Sequence, residues 1–212
     1  MFKFPFFNSR KGEDSRPVLS DGRALHVQAE AAELSHAASA GDMYTCPGAA
    51  AGYVLPIYSN TAQIFGIWNP AGSGVIVDVY EWAMTYVSTT GAAGGYVLGI
   101  VKNAGAAIAT GGNVSVFTDL DIFSAMGTGH DVNPKARVCS AATVTAPVIW
   151  RHLGLNQLVT TAADATTVPW TARAPFRGDC QVAPNTAVFL AGNIATLTIW
   201  APSVTWKEKS VA

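Results

Sequence analysis

The stretch IWNPAGSGVIVDVYEW, Ile67 to Trp82, decides how this chain is read. Its glycine-rich centre is either a cradle for a phosphate or a corner between two strands. A phosphate-binding P-loop needs GxxxxGK[ST], with a lysine for the phosphates and a hydroxyl for magnesium. Here Gly74 is followed by Val75. A dinucleotide fingerprint needs a third glycine where Val77 stands, and then a helix. The run after Gly74 is instead β-branched and aromatic, which suits a strand. Asn69, Pro70, Gly72, Ser73 and Gly74 supply the fixed and permissive φ values of a tight connection. The stretch therefore reads as strand, corner, strand.

Working outward, the same punctuation recurs. YVLPI, AQIFGIW, VIVDVYEWAMTYV, YVLGIV, ARVCS, PVIWRHL, TAVFLAG and ATLTIW are rich in valine, isoleucine and aromatics, and clusters of Gly, Pro, Asn, Ser and Thr separate them. No comparable segment carries a capped 3.6-residue period. The expected fold is all-β, a β-sandwich or jelly roll.

Charge divides the chain. Eleven charged side chains fall at or before Asp42, although the whole chain of 212 residues is only 13% charged and 50% hydrophobic. Residues 1–42 read as an extended N-terminal arm with a short helix in AEAAELSHAAS, and residues 43–212 as the β-sandwich body. So charge-poor a body suits extensive burial, in a core or between subunits. A formal net charge of −1 predicts no general attraction to nucleic acid or to an anionic membrane. No apolar run reaches the roughly 18–20 residues that span a bilayer. The start, MFKFPFFNSRKGEDSR, lacks the long apolar core of a secretory signal.

Few residues suggest chemistry. Cys46, Cys139 and Cys180 are odd in number and far apart, which argues for buried free thiols in a reducing compartment rather than a disulfide framework or a zinc site. Asp119 and Asp121 in FTDLDIF form a DxD that a divalent cation could use, but two surface carboxylates at a strand end are the plainer reading. Asp78 and Glu81, three apart on a strand, are expected to face opposite sides and not to act as a pair. The histidines His26, His36, His130 and His152 have no metal-binding spacing, and no GxSxG elbow is present. Neither a catalytic site, a metal nor a cofactor is expected.

Aromatic residues suggest contact instead. Trp68, Trp82, Trp150 and Trp200 lie within apolar strands and are expected to pack in a core or a subunit interface. Trp170, in the loop-like TTVPWTARAPF, is the candidate for a surface contact. Phe2, Phe4, Phe6 and Phe7 crowd the polar arm, where such residues need something to dock on. Lys3, Arg10 and Lys11 beside them suit an acidic rim.

The order of several pieces resembles a group of tailed-bacteriophage virion structural proteins. These are SDGRALHV, HAASAGDMYTC, QIFGIWNPAGSGVIVDVYEW, VAPNTAVFLAG and the terminal SVTWKE, with Ala183–Ala187 as the turn before the penultimate strand and Trp206 and Glu208 in the last one. The likeness covers most of residues 20–209. It implies a non-enzymatic capsid decoration, or cement, protein. Such a protein is a homotrimer that sits over capsomer junctions, binds the major capsid protein and is assembled in the bacterial cytoplasm. The alternative it leaves open is a trimeric head-fibre, spike or tail component that binds host surface glycan.

Overall fold

A computed structural model describes residues 37–38, 40–88, 94–108, 111–125, 133–156, 171–176, 178–193 and 199–211. Within them the corner is where the sequence puts it. Strand β4 (Gly66–Asn69) ends at Pro70, and β5 (Val75–Ser88) begins directly after Gly74. Gly72 and Gly74 take φ of 77° and 73°, left-handed values that a side chain would disfavour. Ser73 N donates to the Pro70 carbonyl at 3.2 Å, closing the turn.

The corner carries the chain from one antiparallel sheet to the other. The first sheet is built on the pairing of β5 with the last strand, β14 (Ile199–Ser210). On the far side of β5 lie β11 (Thr171–Pro175) and β12 (Gln181–Val182). On the far side of β14 lie β1 (Met43–Pro47) and β2 (Tyr53–Val54), and β8 (Phe123–Ser124) pairs with β1. The second sheet runs β10 (Val148–Asn156), β6 (Gly94–Lys102), β13 (Thr186–Gly192), β4 and then β9 (Arg137–Val144). Strand β3 (Ala62–Gln63) pairs with β9 in the same register as β4, and β7 (Val114–Asp119) also pairs with β9.

The expected strand AQIFGIW is thus two strands on one line. Phe65, at φ 43°, breaks it and turns its ring into the core. Of YVLPI only Tyr53 and Val54 are strand. The expected helix over AEAAELSHAAS lies mostly outside the described residues; Ala37, Ala38 and Ala40 are helical, and Gly41 at φ 81° ends them.

The main core lies between the sheets. Val77, Val79, Trp82, Trp200, Val204 and Trp206 of the first sheet meet Ile67, Leu98, Val138, Val188 and Leu190 of the second. Aromatic rings cross the gap edge-on, Phe65 to Trp82 at 5.5 Å and Tyr96 to Trp200 at 5.1 Å. The other face of the second sheet is buried too, in a cluster of Trp68, Val101, Phe117, Cys139, Ala187 and Phe189. Burial on both faces explains why TAVFLAG is apolar throughout instead of alternating. Trp68, Trp82, Trp200 and also Trp206 are fully buried, whereas Trp150 is half-buried on β10.

Asp78 and Glu81 do not face opposite sides. The inward residues of β5 are Val77 and Val79, then Trp82 and Met84, a three-residue step. The register against β14 shifts there, Val79 facing Trp206 and Glu81 facing Thr205, so Tyr80 is the extra residue of a bulge. The bulge flips the alternation and puts both carboxylates on the face of the sheet turned away from the main core. They still form no pair, because each has its own cation. Asp78, itself buried, lies 2.5 Å from Lys209 Nζ, and Glu81 lies 3.3 Å from Arg173 Nε.

Candidate docking site

Where β7 of one sheet hands over to β8 of the other, the surface sinks into an open depression of about 480 Å³. Asp119, Leu120, Asp121, Ile122 and Phe123 line it on one side, and Pro134, Ala136 and Arg137 on the other. Local bonding holds this crossing in place. Leu120 N donates to the Val138 carbonyl at 2.8 Å, and Ala125 N to the Met43 carbonyl at 2.9 Å. The Cys46 thiol donates to the Asp121 carbonyl at 3.3 Å. On the opposite wall the Glu208 carboxylate accepts from Lys135 N and Ala136 N, at 2.9 and 2.8 Å.

Arg137 is the fixed point of the rim. Its guanidinium lies over the rings of Trp68 and Phe117, 5.1 and 5.0 Å from their centroids. From there it grips Asp119 with two bonds, Nε to Oδ1 at 2.8 Å and Nη2 to Oδ2 at 2.5 Å. Asp119 and Asp121 are therefore surface carboxylates at a strand end. Both oxygens of Asp119 are occupied, and Asp121 stands exposed beside it. The floor is apolar, from the half-buried Leu120 and Ile122 and from Phe123, which is 37% exposed.

The three cysteines are free and buried. Burial above all pushes each thiol up to about 12, so none is a ready nucleophile at neutral pH. His152 is exposed on β10. Among the described residues no group of three or more His, Cys, Asp or Glu side chains is placed to hold a metal. Phe2, Phe4, Phe6, Phe7 and Trp170 lie outside the described residues, as do His26, His36 and His130. The depression itself was missed in the sequence because Arg137 and Asp119 are 18 positions apart and join only through the β7–β9 pairing.

Comparison of the chain with models of protein families, with curated proteins and with solved structures finds no match.

Proposed function

We propose that this protein is a non-enzymatic virion structural protein, a capsid decoration protein with a jelly-roll body that acts as a homotrimer. The observation that carries the jelly-roll part of the reading is the strand order. Counting β1 with β2, β3 with β4, and β11 with β12 as single interrupted strands, and setting aside β7, β8 and β9, eight strands remain. In chain order they lie sixth, third, eighth, first in one sheet and fifth, fourth, seventh, second in the other. That order supports a jelly roll, in which two interleaved Greek keys give the arrangement that viral coat domains share with lectins and cupins. The fold alone does not choose among these functions. The likeness of QIFGIWNPAGSGVIVDVYEW, VAPNTAVFLAG and SVTWKE to phage virion proteins tips the choice.

The pairing of the charged side chains supports a structural role. Asp78, Glu81, Asp119 and Asp179 each answer a lysine or arginine of their own, and Glu208 clamps backbone amides. Function on this reading is mechanical. Each copy buries apolar surface against its own copies and against the major capsid protein, and the three-fold assembly multiplies weak contacts into a durable clamp. The Phe-rich N-terminal segment reaches a neighbouring copy. Light scattering coupled to size exclusion tests the assembly: a stable mass near three chains is expected, and a clean monomer at every concentration, on and off capsids, would refute it.

A further inference from the structure

We infer that the depression between β8 and the segment ahead of β9 receives residues Phe2 to Lys11 of a second copy of this chain. The inference deepens the proposed function and rests on its claim that copies of the chain associate.

Three observations converge. The first is chemical fit. The depression is lined by the apolar Leu120, Ile122, Phe123 and Pro134, by the Asp119–Arg137 ion pair and by the carboxylate of Asp121. Arg137 is already committed to Asp119, so among the lining residues the charge left over is that of the exposed Asp121. The segment FKFPFFNSRK holds four phenylalanines, the three cations Lys3, Arg10 and Lys11, and no acid. Its aromatic and basic residues suit that apolar lining and that carboxylate, and a volume of about 480 Å³ is room for some of its phenylalanine rings rather than for the whole segment.

The second is position. The described body begins at the wall of this depression: the Met43 carbonyl accepts from Ala125 N, and Thr45 faces Phe123 across the β1–β8 pair. The third is reach. Residues 8–36 separate Phe7 from the first described residue. At no more than ~3.3–3.6 Å per residue they span up to about 100 Å, against roughly 40 Å across a body of this size. Docking into its own depression would need only a short tether. That upper bound also covers the same depression on a neighbour, and repeating such a head-to-tail contact closes a ring.

The test places the photo-cross-linker benzoylphenylalanine at position 4 of the full-length protein and mixes unlabelled with ¹⁵N-labelled copies before illumination. The expected products join position 4 to peptides covering residues 119–123 or 134–137, in pairs of mixed isotope. Asp121→Lys, whose exposed side chain leaves the fold intact by near-ultraviolet circular dichroism, is expected to cut that yield about five-fold, as an exposed attraction becomes a repulsion. Phe123→Ser is expected to cut it as well. The mass of the same sample is measured by light scattering. A monomeric sample overturns the self-association beneath the inference. An oligomer that cross-links elsewhere, or only within one copy, overturns the docking site and leaves the assembly standing.

Discussion

The side-chain amide of Asn69 donates to the carbonyl of Val182 at 2.9 Å, joining residues 113 positions apart. Asn69 ends β4 in one sheet and Val182 lies on β12 in the other, so one amide ties the two sheets together beside the corner. The same nitrogen donates to the Val75 carbonyl at 2.9 Å, which pins the first residue of β5. Asn69 is fully buried, so water cannot replace these bonds.

Replacing Asn69 by alanine is therefore expected to cost about 2 kcal/mol, the scale of buried polar groups left without partners. Asn69→Asp is expected to cost more, because a carboxylate would face two carbonyls with no proton to give. Urea unfolding followed by tryptophan fluorescence measures both. Equal stability of Asn69→Ala and the parent would show that the clasp contributes nothing.

Gly66 has no room for a side chain. A Cβ there would stand 2.2 Å from Phe189 Cδ1 and 2.8 Å from the Val188 carbonyl oxygen. Gly66→Ala is expected to destabilise the fold by about 1–3 kcal/mol, as overpacking does. Adding Phe189→Leu should recover part of that loss, since the ring is the nearest obstacle. The double-mutant cycle gives the coupling directly; strict additivity would place the strain elsewhere.

The cysteines make stability fall in alkali. Burial keeps each thiol protonated up to about 12 in the fold, against an ordinary value of 9.0. Between those values the unfolded chain releases thiol protons that the native protein retains. Folding stability is thus complete below about pH 9 and declines toward pH 12. Replacing Cys46, Cys139 and Cys180 by alanine should flatten that part of the pH–stability curve. Ellman's reagent should find no fast-reacting thiol in the native protein at pH 8 and three after unfolding in guanidinium.

Removing Lys209 exposes a different weakness. Its ammonium is the partner 2.5 Å from Asp78, a carboxylate only 1% exposed. Lys209→Met is expected to destabilise by about 1–2 kcal/mol, below the ~3–5 kcal/mol typical of breaking a fully buried pair because Lys209 is itself 41% exposed. Combining it with Asp78→Asn should restore most of the loss. A double variant no better than Lys209→Met would show that the ion pair is not the cause.

How far the sequence could be read follows from these residues. Asn69-Pro70-Ala71-Gly72-Ser73-Gly74 announced its corner because proline and glycine act locally, and TAVFLAG matched β13 residue for residue. The last strand was harder. The expected strand ATLTIW ends at Trp200, yet β14 runs on through Ala201-Pro202 from Ile199 to Ser210. Pro202 is tolerated because its carbonyl, which accepts from Gly48 N at 2.7 Å, and its nitrogen point to the same side. That side falls between the β1 pairing, which ends at Ser203, and the β2 pairing, which starts at Trp200. Strand β1 escaped notice because MYTCP is short, and of β7 only the end at Asp119 was expected because VSVFTD is short and half polar. The bulge at Tyr80 carries no local signal at all; only the register against β14 reveals it.

The most direct test of the account is binding to the particle. On the proposed function, phage heads assembled without this protein are mixed with the purified protein and imaged by electron cryomicroscopy. The account predicts added three-fold density over capsomer junctions that saturates with concentration and falls sharply when residues 2–11 are deleted. Bare junctions at saturating protein, or density confined to the tail, would contradict it.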